Sequence, residues 1–196
     1  MELSDRFSDA VVLSCRWHAK QQRKVSHTPY VAHLLRVAGI VLEADGSEDE
    51  AIAALLHDAI EDQGGNEARE TIRERFGPEV VKIVDECSDT DQSPKPPWRE
   101  RKEAFLERLP KISDSAKLIT AADKLDNVRS LIDGYHERGE TLWDAFGGGR
   151  EGTLWYYRAV TDTLRRTLPG PLTDRLARAV ARLEMLVKDS RPTSDS

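Results

Sequence analysis

Apolar residues recur at three- and four-residue intervals along almost the whole chain, and no stretch shows sustained apolar/polar alternation flanked by hairpin turns. Side chains of a strand change face at every residue, so a 3.6-residue period suits only helices and confines the chain to an all-α fold. With 196 residues there is chain enough for one domain with a full core and too little for two of ordinary size. The expectation is a single helical bundle of about eight to ten helices over 1–190, with 191–196 a flexible tail.

The first predicted helix covers 6–22, with Val11, Val12, Cys15 and Ala19 on its apolar face. Thr28-Pro29 reads as the N-cap and first turn of a second helix, whose inner face is Val31, Leu34, Leu35, Ala38 and Leu42 and whose end is Gly46. A third, capped by Ser47, is predicted over 47–61; its centre, Ala53-Ala54-Leu55-Leu56, is apolar on nearly all sides and should be deeply buried. Gly64-Gly65-Asn66 breaks it, and short helices over 67–76 and 78–87 follow, divided by Gly77. The polar segment 88–97 carries three prolines and reads as a loop able to close over a ligand. Further helices are predicted over 98–109, 113–133, 152–168 and 171–188, with the triple glycine at Gly147 interrupting them. In the long one, Leu118, Ile119, Ala122, Leu125, Val128 and Leu131 point inward.

A hydrophobic fraction of 39% with 33% charged residues is that of a globular chain. No apolar run approaches the ~20 residues that span a bilayer, and residues 1–10 lack the basic start and apolar stretch of a signal peptide. The expectation is a cytoplasmic protein without a membrane partner. A net charge of −6 opposes a sequence-independent grip on nucleic acid, which needs a basic face. Cys15 and Cys87 are isolated, which suggests neither a disulfide framework nor a thiolate metal site; both are read as buried apolar residues.

The informative polar residues are His33 on the second predicted helix, His57-Asp58 on the third and Asp123 on the long one, each beside apolar neighbours. Imidazole and carboxylate donors together suit Mn²⁺, Fe²⁺, Zn²⁺ or Co²⁺ better than a thiolate or all-oxygen site would. Glu61 and Asp62 follow His57-Asp58 by one helical turn. Such a cluster beside an apolar run is costly unless a cation sits among it. A divalent ion there would make water a nucleophile at neutral pH, as phosphate-ester hydrolysis requires.

These residues lie within motifs that carry a family resemblance. Arg23-Lys24 precedes Thr28-Pro29-Tyr30-Val31-Ala32-His33; Ala53-Ala54-Leu55-Leu56-His57-Asp58-Ala59-Ile60-Glu61-Asp62 follows. Then come Phe76-Gly77, Glu100-Arg101-Lys102, Ala116-Lys117-Leu118 and Ala122-Asp123-Lys124-Leu125-Asp126-Asn127-Val128-Arg129. In order and spacing the chain resembles the hydrolase domain of the RelA/SpoT family, most closely its stand-alone small alarmone hydrolases of the metazoan SpoT-homologue type.

The resemblance implies an HD-type helical domain in which His33, His57, Asp58 and Asp123 bind one Mn²⁺ per chain, other divalent ions remaining open. It implies that Glu61 and Asp62 position or activate the attacking water and handle its proton. Arg23 and Lys24 would line the nucleotide pocket, Asn127 and Ser130 would contact the nucleotide, and Tyr156, within Trp155-Tyr156-Tyr157, would contact the base. Lys20, Lys95, Arg99, Arg101, Lys102 and Lys117 are candidates for offsetting pyrophosphate charge. The implied substrate is a small nucleotide alarmone, with the 3′-pyrophosphate of (p)ppGpp hydrolysed to GDP or GTP and pyrophosphate. Hydrolysis of (p)ppApp and removal of the 2′-phosphate of NADPH belong to the same class. The rival reading is a non-catalytic nucleotide-binding module, against which the presence of both Glu61 and Asp62 counts. Homo-oligomer formation is left open. Two positions depart from the family pattern: Trp98 stands where a Lys is frequent, and Asp126 where a His or Tyr is more usual, adding a negative charge near the site.

Overall fold

Side chains set where several helices start. Ser47 accepts from the Glu50 amide while the Glu50 carboxylate accepts from the Ser47 amide, a reciprocal cap that satisfies two otherwise orphaned donors. Ser4 and Ser113 cap two more helices. The computed structural model describes residues 2–90 and 94–189. In chain order the elements are α1 (Asp5–Trp17), α2 (Val31–Glu43), α3 (Glu48–Leu56), α4 (Ala59–Asp62), α5 (Asn66–Phe76) and α6 (Pro78–Cys87), then α7 (Trp98–Arg108) and α8 (Asp114–Arg138). A 3-10 helix (Gly139–Ala145), α9 (Gly149–Thr167) and α10 (Pro171–Asp189) complete it. Among the described residues the only β pairing is an isolated bridge between Gln22 and Pro29. The expected all-α architecture of about eight to ten helices is the one that forms.

The core is built on α3, in which Ala51, Ile52, Ala53, Ala54, Leu55 and Leu56 are all fully buried. It packs against α1, α2, α6 and α8, so from Ala51 onward no face is left for solvent. Each large side chain buried this way contributes ~1.5–3 kcal/mol of transfer free energy. Helix α8 is the other central element and packs on α2, α6, α9 and α10. The α2–α3 turn is tight: a Cβ on Gly46 would stand 2.5 Å from Val41 Cγ1 and 2.9 Å from the Val41 carbonyl oxygen.

Several boundaries differ from the sequence expectation, each for a tertiary reason. Helix α1 stops at Trp17 rather than near 22. Beyond it the backbone pairs with itself, Arg23 N donating to Thr28 O at 2.9 Å and Tyr30 N to Gln21 O at 2.9 Å. Thr28 and Pro29 therefore lie in this reversal, and the residue capping α2 is Tyr30, which makes no side-chain cap. The buried face of α1 is Ala10, Leu13 and Ser14, whereas Val12 is 44% exposed and Cys15 exposed. Ser14 tolerates burial because its hydroxyl donates to Val11 O at 2.9 Å.

Helix α3 ends at Leu56, and α4 resumes only at Ala59, leaving His57 and Asp58 at a break in what the periodicity reads as one helix. Helix α8 runs past 133 to Arg138, where Gly139 adopts φ +56°. Of its predicted inward residues, Leu118 is only half-buried. Within the predicted loop 88–97, residues 91–93 lie outside the described residues, as does the predicted tail 191–196. No helix of the described residues is long and apolar enough to cross a membrane.

Candidate active site

The helix break re-aims the His-Asp pair. His57 Nδ1 bonds to the Ala54 carbonyl oxygen at 2.8 Å, one turn back, which turns Nε2 inward. That Nε2 is buried, lies 3.2 Å from Asp58 Oδ2 and 3.8 Å from Asp123 Oδ1, and makes no hydrogen bond among the described residues. His33, brought by α2, places its Nε2 3.3 Å from Asp123 Oδ1 and 3.9 Å from Asp58 Oδ2. The ligand atoms of His33, His57 and Asp58 all lie within 4.8 Å of one another. Asp123 joins from α8, its Oδ2 accepting from Lys124 Nζ at 2.6 Å and its Oδ1 from the Asn127 amide. Residues 33, 57, 58 and 123 thus converge on one point.

Electrostatics explain why charged groups survive this burial. Desolvation opposes charge on Asp123, but the Lys124 ammonium and a hydrogen bond from His33 hold its carboxyl well below the usual range. Burial likewise opposes the charged form of His33, yet hydrogen bonds to Asp123 and Asp126 outweigh it and keep the imidazole pKa raised. Tyr30 donates its hydroxyl hydrogen to Asp58 Oδ2 and sets its ring edge-on to His33 at 5.4 Å.

A cavity of about 760 Å³ opens onto Asp58, Glu61 and Asp62. His33, His57 and Asp123 lie one layer deeper and are buried. Glu61 Oε1 accepts from the Asp89 amide at 2.6 Å, and Lys95 Nζ stands 3.5 Å from both Glu61 Oε2 and Asp62 Oδ1. Burial first, then the negative charges of Asp58 and Asp89, push the Glu61 carboxyl above the ordinary glutamate range. Lys102 and Arg101 also reach the cavity, both anchored by Asp89.

Arg23, Lys24, Asn127 and Ser130 line the same cavity, and Arg23 Nη2 donates to Asn127 Oδ1 at 2.9 Å. Tyr156 does not line it. It is buried, packed beneath Lys102 Nζ at 4.7 Å and against Trp98, and the aromatic residue of its cluster that faces the cavity is Tyr157. One residue along a helix rotates the side chain by ~100°, so the sequence cluster alone does not say which ring faces out. Of the basic candidates, Lys95, Arg101 and Lys102 line the cavity, whereas Lys20, Arg99 and Lys117 do not. Arg99 lies over the Trp155 ring at 3.4 Å, and Lys117 pairs with Asp114 at 3.0 Å.

Trp98 lines the cavity too, seated on glycines: a Cβ on Gly148 would stand 2.6 Å from its ring. Residues that sequence reasoning did not assign to the site are Gln21, Tyr30, Arg36, Asp89 and Lys124. Only Tyr30, three residues before His33 on the approach to a helix, carried a local signal.

Two histidines, the aspartate that follows one of them and a further aspartate, carried to one point by three helical segments, define a helical domain of the HD class. The model of the HD domain family matches residues 10–154, and the chain belongs to that family. It is similar to the guanosine-3′,5′-bis(diphosphate) 3′-pyrophosphohydrolase MESH1 of Xenopus tropicalis, with 41% identity over 126 residues covering 63% of this chain and 68% of that protein. The Drosophila melanogaster protein of the same name is 38% identical over 131 residues, covering 65% and 70%. Among solved structures, a metazoan ortholog of SpoT that hydrolyzes ppGpp superposes with a TM-score of 0.76 at 33% identity, covering 93% of this chain and 97% of that one. The lmo0812 protein of Listeria monocytogenes EGD-e superposes with a TM-score of 0.67 at 30% identity, covering 80% and 99%.

Proposed function

We propose that residues 1–190 act as one domain that hydrolyses the 3′-pyrophosphate of (p)ppGpp, releasing pyrophosphate and GDP or GTP, with one Mn²⁺ held by His33, His57, Asp58 and Asp123. The observation that carries this reading is the inward, buried Nε2 of His57. With Nδ1 donating to Ala54, Nε2 of the neutral ring is a bare lone pair aimed among two carboxylates and a second imidazole. An unpartnered acceptor buried beside carboxylates is costly, and a divalent cation satisfies all four groups at once. The donor set fits a borderline divalent ion. When bound, the ion supplies Lewis acidity and lowers the pKa of water.

The protein's own groups supply the rest. Glu61, whose Oε1 is engaged by the Asp89 amide, takes the proton of the attacking water on Oε2; its raised pKa brings it nearer the working pH. Asp62, held by Gln21 and Lys95, orients that water. Lys95, Arg101 and Lys102 face the charge of the pyrophosphoryl group under attack, whose bond to the ribose 3′-oxygen breaks as the water oxygen adds. Arg23 and Asn127 hold each other at the nucleotide wall, and Lys24 and Ser130 complete it. The polyanion enters a cavity whose acidic groups are matched by these cations.

The test is turnover of ppGpp, ppApp and NADPH side by side with added Mn²⁺, separating pyrophosphate from orthophosphate, with Asp58→Ala as control. Pyrophosphate from ppGpp, lost in the variant, is the expected result. Orthophosphate from NADPH alone would overturn the substrate, and metal binding without turnover on any of the three would make the protein a binding module.

A further inference from the structure

His33 is gripped at both ring nitrogens by one helix. Its Nε2 faces Asp123, while its Nδ1 lies 2.7 Å from Asp126 Oδ2. Asp123 and Asp126 are three residues apart on α8 and therefore share a face. Asp126 is only 2% exposed, so its carboxylate needs a countercharge. Arg36 provides it, with Nε 2.5 Å from Oδ1 and Nη2 3.2 Å from Oδ2, the two-pronged geometry in which such pairs are strongest. Arg36 lies three residues after His33 on α2, so both partners of Asp126 project from one face of that helix. The Arg36 side chain is 48% exposed and reaches the cavity. From sequence, Asp126 is only an added negative charge near the site; in the fold that charge is bonded on one side and cancelled on the other.

Resting on the metal-centre reading above, we propose that Asp126 is a positioning residue that fixes the His33 ring with Nε2 free for the metal, and that Arg36 cancels its charge so that a polyanionic substrate is not repelled. A carboxylate behind a ligating imidazole orients the ring and raises its basicity, and its loss typically weakens metal affinity by ~10–100-fold. The two partners then have separable signatures. Removing Asp126 loosens the ring and the metal. Removing Arg36 leaves the His33–Asp126 bond in place but exposes a negative charge to substrate.

The experiment titrates Mn²⁺ calorimetrically into metal-stripped wild type, Asp126→Ala and Arg36→Ala, with KM and kcat measured alongside at saturating metal. The expected result is one ion per wild-type chain, affinity lower by ~10–100-fold in Asp126→Ala, and affinity undiminished in Arg36→Ala with KM for ppGpp raised several-fold. Asp126→Ala binding Mn²⁺ like wild type would overturn the inference alone; wild type binding no ion would overturn the metal-centre reading with it. Because Asp126→Ala could fail to fold, a second measurement uses the unaltered protein loaded with diamagnetic Zn²⁺. Nitrogen-15 spectra should show the His33 proton on Nδ1, and a proton on Nε2 would equally overturn the proposal.

Discussion

Gln21 donates from Nε2 to Asp62 Oδ2 at 2.8 Å, tying the chain reversal after α1 to the end of α4, 41 residues away. The other end of the same carboxamide is fixed, since His18 Nδ1 lies 2.6 Å from Gln21 Oε1 and the His18 ring is buried and stacked on Tyr30 at 5.3 Å. The Asp62 carboxylate is thus aimed by a side chain that itself cannot turn. Gln21→Ala should lower kcat by about 10- to 100-fold, the cost of a misplaced reacting group, while Mn²⁺ affinity holds. Gln21→Glu, which sets a second carboxylate against Asp62, should be worse. Steady-state kinetics with parallel metal titration checks this, and equal kcat in wild type and Gln21→Ala would refute the aiming role.

Glu61 gives a pH signature in stability as well as in rate. Its folded pKa is raised, so the folded state holds a proton at pH values where the unfolded chain has released it. The carboxyl is without penalty below the unfolded value of about 4.3, and the folded state loses stability as pH rises through the higher folded value. In metal-free protein, Glu61→Gln should therefore melt above wild type at pH 7.5, with the difference vanishing near pH 4. The variant should also lose most of its turnover, and the residual rate should lack the acidic limb of the wild-type profile. A melting difference independent of pH would remove the physical basis for treating Glu61 as the proton acceptor.

Lys124 serves the metal-free state. Its ammonium lies 2.6 Å from Asp123 Oδ2 in a buried setting and is held well above its ordinary pKa, the attraction of Asp123 outweighing burial. Lys124→Met takes the cationic partner from Asp123 Oδ2, leaving Asn127 and His33 on Oδ1, and breaking such a buried pair costs ~3–5 kcal/mol. Added Mn²⁺ should restore much of this, so the rise in Tm on adding metal should be larger in the variant than in wild type. Calorimetric melting with and without Mn²⁺ measures it; equal metal-induced shifts would contradict the assignment of Asp123 to the metal locus.

Tyr156 and Tyr157 should separate cleanly. Tyr156 is packed among Trp98, Trp155 and Lys102, and its truncation to Ala should cost ~3–5 kcal/mol of stability. Tyr157, which lines the cavity and whose phenol burial pushes up to about 12, should on truncation raise KM for the nucleotide with a smaller loss of stability. Chemical denaturation and kinetics on both variants decide the matter, and a KM effect confined to Tyr156→Ala would reverse the assignment.

What was readable in the sequence was local. Periodicity places His33, His57 and Asp123 on separate helices with apolar neighbours, and Ser47 and Ser113 mark two helix starts, because caps and faces depend on residues within a turn or two. The same local rule extended the third helix through His57-Asp58, where the structure breaks it between Leu56 and Ala59. It also assigned the wrong face to α1, whose buried side carries Ser14 and leaves Cys15 to solvent. The chain on its own thus determined an all-helical fold and the residue types able to hold a divalent ion. Only the packing of α2 and the α3–α4 break against α8 decided that His33, Asp58 and Asp123 share one locus and that Asp126 meets both His33 and Arg36, and only the packing of α9 against α7 and α8 decided that Tyr157 rather than Tyr156 faces the cavity. The physical reason is range: a helical period constrains neighbours three and four apart, whereas contacts across some 90 residues depend on where one helix crosses another, and that is set by the whole core at once.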